Sequence, residues 1–192
     1  MLIKMKKKTY STNKHIRKLV SRLINLRRHA VTEDSSLALK ILKEYINMNV
    51  IKIKSGTNCW DWKIPPKWNL VEATIKFRGK KIFSHKDHVM AVQPYCNSFK
   101  GKVSLEELKK HINFSKKKPH AYAYNCVLAY RYPYQKDWLI SMPYNKVKKL
   151  RKGMYEIDIR TTFKKGIMEI GEYTIKGKSK DTIILLSIFV PA

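Results

Sequence analysis

The sequence predicts an α+β chain: a helical hairpin, then mostly antiparallel strands, closing on one strand buried on both faces. Three observations predict it. Apolar residues recur at helical spacing between Ile16 and Ile46, the period drops to two at Asn49, and Ile183 to Val190 is apolar at nearly every position. With 192 residues, 44% of them hydrophobic, the chain can bury a core and is not a disordered polybasic tail.

The elements follow in order. Ile16, Leu19, Val20, Leu23 and Ile24 share one face of a first helix. A second helix takes Thr32 or Asp34 as N-cap, with Leu37, Ala38, Ile41, Leu42, Tyr45 and Ile46 inward. The short link between them, Arg27 to Asp34, makes the pair a hairpin. Val50, Ile51 and Ile53 begin a strand that ends at Ser55-Gly56. Trp60 to Asn69 is a rigid stretch whose Pro65-Pro66 pair is excluded from a central strand. Val71 to Phe77 alternates, Arg78-Gly79-Lys80 turns, and Lys81 to Ser84 returns. Val89 to Val92 is a further short strand. Ser104 and Glu107 form a capping box for a helix reaching about Ile112. Tyr122, Tyr124, Tyr130, Tyr132 and Tyr134 interleave with Arg131 and Lys136 and suit an amphipathic strand ahead of single-strand nucleic-acid binding, and Asp137 to Ser141 reads as a strand. Asn145 to Arg151 is a helical turn closed by Gly153. Tyr155 to Thr161 and Ile167 to Ile175 read as a hairpin joined at Lys165-Gly166. Ile183 to Val190 needs cover on both faces. The chain offers only its first helix pair, so the remaining cover has to come from elsewhere.

Charge opens a second line. Lys+Arg 41 against Asp+Glu 14 gives a net charge of +27, a field that attracts polyanions. Only Arg17, Arg22, Arg27, Arg28, Arg78, Arg131, Arg151 and Arg160 are arginines, and the lysines are spread along the whole chain. Lysine is a solvated point charge and lacks the bidentate fork that reads phosphates and guanine edges. A solubilising surface therefore outranks nucleic-acid binding, which stays open as the alternative. Cys59, Cys96 and Cys126 form no C-x-x-C pair and read as reduced thiols of a cytoplasmic protein. Met1 to Lys8 leads into no apolar signal region, and no run reaches the roughly twenty residues of a membrane span, so no membrane partner is expected.

Candidate chemistry is sparse. His85 and His88 lie three apart around Asp87, yet no third metal ligand sits nearby in sequence. The cysteines lack a nucleophile motif, and no G-x-S-x-G elbow occurs. Trp60, Trp62, Trp68 and Trp138 form a stacking surface or, as the stronger reading, Trp62, Ile64, Pro65 and Trp68 pack a hinge between two domains.

Several separated segments resemble a bacterial aminopeptidase-like family. Ser55-Gly56-Thr57, Asp61-Trp62, Ile64-Pro65 and Trp68-Asn69 match its "SGT…DWxIPxxWN" string. Leu26 to Asp34 resembles its "LNRxxVSxD" turn, with Arg27 replacing Asn. His88-Val89, Tyr95, Gly101 and Val103 to Leu108 resemble "HV…Y…G-VSLEEL". Asp137-Trp138 with Ser141 to Pro143, Gly153 to Ile159, and Gly171-Glu172 with Gly177 and Ser179 complete the series. The resemblance implies a zinc-exopeptidase domain interrupted by a small all-β domain of unknown function. On that pattern residues 1–58 are the helical part of the aminopeptidase-like domain, 59–162 the inserted β domain, and 163–192 the returning strands, truncated. The family's last strand runs into a Cys-His-Pro with the first metal ligand. Here Leu185-Leu186-Ser187 runs into Ile188 to Ala192 instead.

The resemblance thus implies a truncated or split aminopeptidase-like protein, non-catalytic by itself, with no catalytic or metal residue of its own. Zinc and peptide substrate are expected only in complete relatives, and a second chain is the expected source of the missing half. Arg28, His29, Trp62, Trp68 and Trp138 are the candidate cleft or binding residues.

Overall fold

The computed structural model describes residues 12–131, 136–178 and 183–184. Two helices, α1 (Thr12–Leu23) and α2 (Glu33–Lys43), precede the strand β1 (Asn49–Lys54) and a two-rung hairpin, β2 (Asn58–Cys59) and β3 (Trp62–Lys63). Next come β4 (Lys67–Phe77), β5 (Lys80–Ser84), β6 (Phe99–Ser104), α3 (Leu105–Lys110) and β7 (Ile112–Asn113). The series ends with α4 (Val127–Tyr130), β8 (Ile140–Ser141), α5 (Tyr144–Val147), β9 (Met154–Lys164) and β10 (Ile167–Glu172). The result is a mixed α/β molecule with mostly antiparallel sheets; β7 and β8 form the parallel pair.

The main sheet has the order β5-β4-β9-β6. On β9 the side chains of Tyr155, Ile157 and Ile159 face inward at period two. On β4 the inward set is Trp68, then Ala73 and Ile75, a change of parity within one strand. The cause is a bulge between Leu70 and Glu72 that leaves Val71 over against β9. One extra residue flips every later side chain to the other face, so both halves of β4 bury apolar groups on one side. These residues, with Phe83, Leu108, Leu128, Trp138, Ile140 and Met142, form the main core. The helical hairpin has a second and much smaller one: Leu23, Ala38 and Ile41.

Several expectations hold locally. Thr32 caps α2 by accepting from Ser35 N, and Asp34 lies inside the helix. Arg78 and Gly79, both at positive φ, close the β4–β5 hairpin. Pro65 and Pro66 stay outside the strands, although central β4 begins at Lys67, directly behind them.

Others are corrected. Ile16, Val20 and Ile24 of the first helical face are exposed, as are Leu37 and Ile46 of the second, because the small core reaches only Leu23, Ala38 and Ile41. Val89 to Val92 is a turn with a single bridge from Val92 to Ile140, and the added strand is β6. Tyr122 and Tyr124 lie in irregular backbone before α4, so no amphipathic strand forms there; Tyr132 and Tyr134 fall outside the described residues. Half of the capping box exists. Ser104 Oγ accepts from Glu107 N at 3.2 Å, but the Glu107 carboxylate turns to Lys110 and His111.

Lys165-Gly166 does not close a hairpin. Strand β9 already has β4 on one edge and β6 on the other, so β10 leaves and pairs antiparallel with β1. The apolar stretch Ile183 to Val190 lies outside the described residues apart from Ile183 and Ile184, which are exposed and not in a strand.

Candidate functional site

The turn from Arg27 to Thr32 is wound onto the start of α2. Asp34 Oδ2 accepts from Arg27 N at 2.7 Å, Thr32 Oγ1 donates to Arg27 O at 2.9 Å, and Ser35 Oγ donates to His29 O. These bonds occupy polar groups at the helix N-terminus and fix the direction of the two arginines and the histidine. Trp68 N then donates to Val31 O at 3.1 Å, tying the turn to the start of β4. Arg27 Nη2 reaches His85 O at 3.3 Å, beyond β5.

His29 is 9% exposed. Its ring meets Trp68 edge-on at 5.9 Å and stacks with Tyr124 at 6.4 Å. Burial, reinforced by the charges of Arg27 and Arg28, pushes the imidazole down to about 3, so it is neutral at physiological pH. Its Nδ1 has no hydrogen-bond partner among the described residues. Burial also lowers both guanidinium groups, with Asp34 opposing the effect at Arg27. Trp68, 2% exposed, donates from Nε1 to Cys96 O at 2.9 Å and stacks on Tyr95. Burial drives the Cys96 thiol up to about 12, which keeps it protonated and inert.

The structure therefore brings three of the five sequence-named residues together, Arg28, His29 and Trp68. It does not bring in the other two. Trp138 packs in the main core against His111 at 3.9 Å and Phe99 at 5.0 Å. Trp62 is half-buried on β3, and its buried Nε1 has no acceptor among the described residues. Trp60, weighed in the sequence only as part of a stacking surface, is 98% exposed.

Beside the turn runs an open groove of about 670 Å³, lined in part by Val31, Thr32, Lys54, Ser55, Lys67 and Gly166. A Glu33–Lys67 ion pair lies at its edge. Ser55 Oγ bonds both the carbonyl and the N–H of Gly166 at 3.0 Å, closing the seam where β1 and β10 begin and end. In the sequence Ser55-Gly56 reads as a strand end within the family-like string, and Lys165-Gly166 as a hairpin turn. Their meeting across 111 positions had no local signal.

Zinc, which the resemblance implies for complete relatives, requires three or four converging His, Cys, Asp or Glu ligands. Among the described residues no three are so placed, and the donor set does not fit the metal. His85 and His88 are engaged separately: His85 Nδ1 accepts from Ala73 N, and His88 Nδ1 accepts from Met90 N while its ring stacks on Tyr122. The turn from Arg27 to Thr32 gathers two partly buried guanidinium groups and a neutral imidazole against Trp68 and Tyr124.

Comparison with known proteins gives three results. Residues 67–162 match the family described as "Domain of unknown function (DUF2172)". A Clostridium acetobutylicum protein named "Putative polysaccharide biosynthesis protein with aminopeptidase-like domain" is 26% identical over 175 residues, covering 91% of this chain and 39% of its own length. A crystal structure of a "putative peptidase" from Clostridium acetobutylicum shares the fold with a TM-score of 0.72 at 24% identity, over 86% of this chain and 38% of that one. The chain thus spans well under half the length of the relative and of the solved structure that it matches. No helix among the described residues is long and apolar enough to cross a membrane.

Proposed function

The chain belongs to the DUF2172 family, and from that premise we propose that it is the positioning portion of an aminopeptidase-like protein, with no catalytic centre of its own. In this reading a complementary polypeptide supplies the metal ligands, and the completed protein removes N-terminal residues from peptides. The finer picture, an interrupted zinc-exopeptidase domain, belongs to the same proposal.

The observation that carries it is where apolar surface is left open. Among the described residues, only Val71, Tyr124 and Met154 of the large exposed apolar side chains lie within 67–162. The others belong to α1, α2 and the residues just after each, to β1, the β2–β3 hairpin, β10 and the residues after it. The family-matched segment closes its own core, whereas its flanks keep Ile16, Val20, Ile24, Ile51, Ile167 and Ile170 in solvent. Ile16, Val20 and Ile24 follow at four-residue spacing and Ile51 pairs with Ile170 across β1 and β10, so the exposed apolar groups form stripes of the kind that suits an interface. A relative and a solved structure that each continue far past the matched region support a further segment as its cover.

The test is hydrolysis of amino-acid p-nitroanilides by the purified chain, with and without added Zn²⁺. No release is expected under either condition. Zinc-dependent release of p-nitroaniline by this chain alone would overturn the reading.

A further inference from the structure

We propose that Trp60 is the anchor by which this chain grips the polypeptide that completes the aminopeptidase-like fold in its longer relatives, an inference that rests on the reading above and names its contact. The β2–β3 hairpin is a stiff ribbon. Gly56 N bonds Ile64 O at 2.8 Å, Ile64 N bonds Thr57 O at 2.9 Å, and Asn58 and Cys59 pair with Lys63 and Trp62. Its loop is two residues, Trp60 and Asp61.

Trp60 has φ +53, and Asp61 is not among the positive-φ residues. A two-residue loop with positive φ only at its first position is the II′ pattern, in which that position favours glycine. A bulky residue there is a genuine outlier. At the β4–β5 hairpin, by contrast, the positive-φ pair includes Gly79. Trp60 thus occupies a position that turn chemistry would give to glycine, and at 98% exposure its ring covers almost nothing in its own chain. A strained residue that contributes nothing internally points to a contact outside, and tryptophan is among the residues enriched in binding hot spots.

The occupant follows from three facts. The hairpin belongs to the flank where apolar surface is open, outside the family-matched 67–162. The relative and the solved structure both continue far beyond the region this chain covers. A second copy is disfavoured because two chains of net charge +27 repel each other. In the loop exposed Asp61 stands next to Trp60, and exposed Lys63 lies two residues on, so the tip carries mixed charge and fits a partner surface that offers an apolar pocket with a polar rim.

The experiment co-expresses the full chain with a tagged segment of the Clostridium acetobutylicum relative, the part outside the matched region. It compares wild type, Trp60→Phe and Trp60→Gly by co-purification and by affinity. Wild type should be captured, Trp60→Phe partly retained, and Trp60→Gly weakened by about thirtyfold, the size of a hot-spot loss. The thermal midpoint of the isolated Trp60→Gly chain should stay level or rise, because glycine relieves the turn. Capture of Trp60→Gly equal to wild type would overturn the anchor and leave the pairing intact. Failure of wild type to be captured would overturn both. A midpoint several degrees lower for Trp60→Gly would place the ring's role inside the chain's own fold and overturn the anchor as well.

Discussion

At the scale of single residues, His29 carries the most testable chemistry. The folded chain refuses a proton that the unfolded chain accepts below the ordinary histidine value of 6.5, since burial holds the native imidazole at about 3. Stability from this group is therefore complete above 6.5 and is lost as pH falls toward 3. At pH 5 the loss is about 2 kcal/mol. Thermal midpoints measured from pH 7.5 to 5 should fall for wild type and fall less for His29→Phe; parallel curves would show that His29 does not titrate in this way. Trp68 offers a second test. Trp68→Phe removes the donor to Cys96 O and strands a buried carbonyl, at about 1–3 kcal/mol in urea unfolding.

At the scale of elements, the seam between β1 and β10 depends on close backbone approach at Gly166. A Cβ there would lie 2.6 Å from Lys67 Cβ and 2.8 Å from Val31 Cγ1, with Lys67 N at 3.2 Å. Backbone and short side-chain stems cannot step aside as a flexible tip would. Gly166→Ala should therefore destabilise by about 1–3 kcal/mol, read as a lower urea midpoint at unchanged slope. The cap of α3 is a smaller device. Ser104→Ala should cost about 1 kcal/mol, and Glu107→Gln less, because the Glu107 carboxylate serves exposed Lys110 and part-buried His111 rather than the N-cap.

At the scale of the molecule, two cores of unequal size set an order of stability. The main sheet buries Trp68, Ile75, Tyr155, Ile157 and Ile159 among many others, while the helical hairpin buries Leu23, Ala38 and Ile41. Local opening follows the apolar contacts available. Native-state hydrogen exchange should leave α1 the least protected helix and β4 and β9 the most protected strands. Equal protection of α1 and β9 would show that the hairpin shares the main core. On the proposed reading, adding the complementary polypeptide should raise protection first in α1 and β10, where Ile16, Val20, Ile167 and Ile170 are exposed.

What the sequence determined by itself was local. The period change at Asn49, the cap at Thr32, the Arg78-Gly79 turn and the strand at Tyr155 to Thr161 rest on neighbouring residues, and each stands in the structure. Motifs scattered in one order along the chain likewise pointed to the aminopeptidase-like family. The tertiary structure alone decided partnership. That β10 pairs with β1 and not with β9 depends on β6 having taken the free edge of β9, and β6 itself carries an interrupted pattern, Phe99-Lys100-Gly101-Lys102-Val103. The join of Arg27, Arg28, His29 and Trp68 depends on a bulge at Val71 that no spacing rule foretells, because one added residue restores Trp68 to the core face. Periodicity reports which side of an element is apolar. Only packing decides which of those sides are covered, and Ile16, Val20 and Trp60 are apolar side chains that this chain leaves exposed.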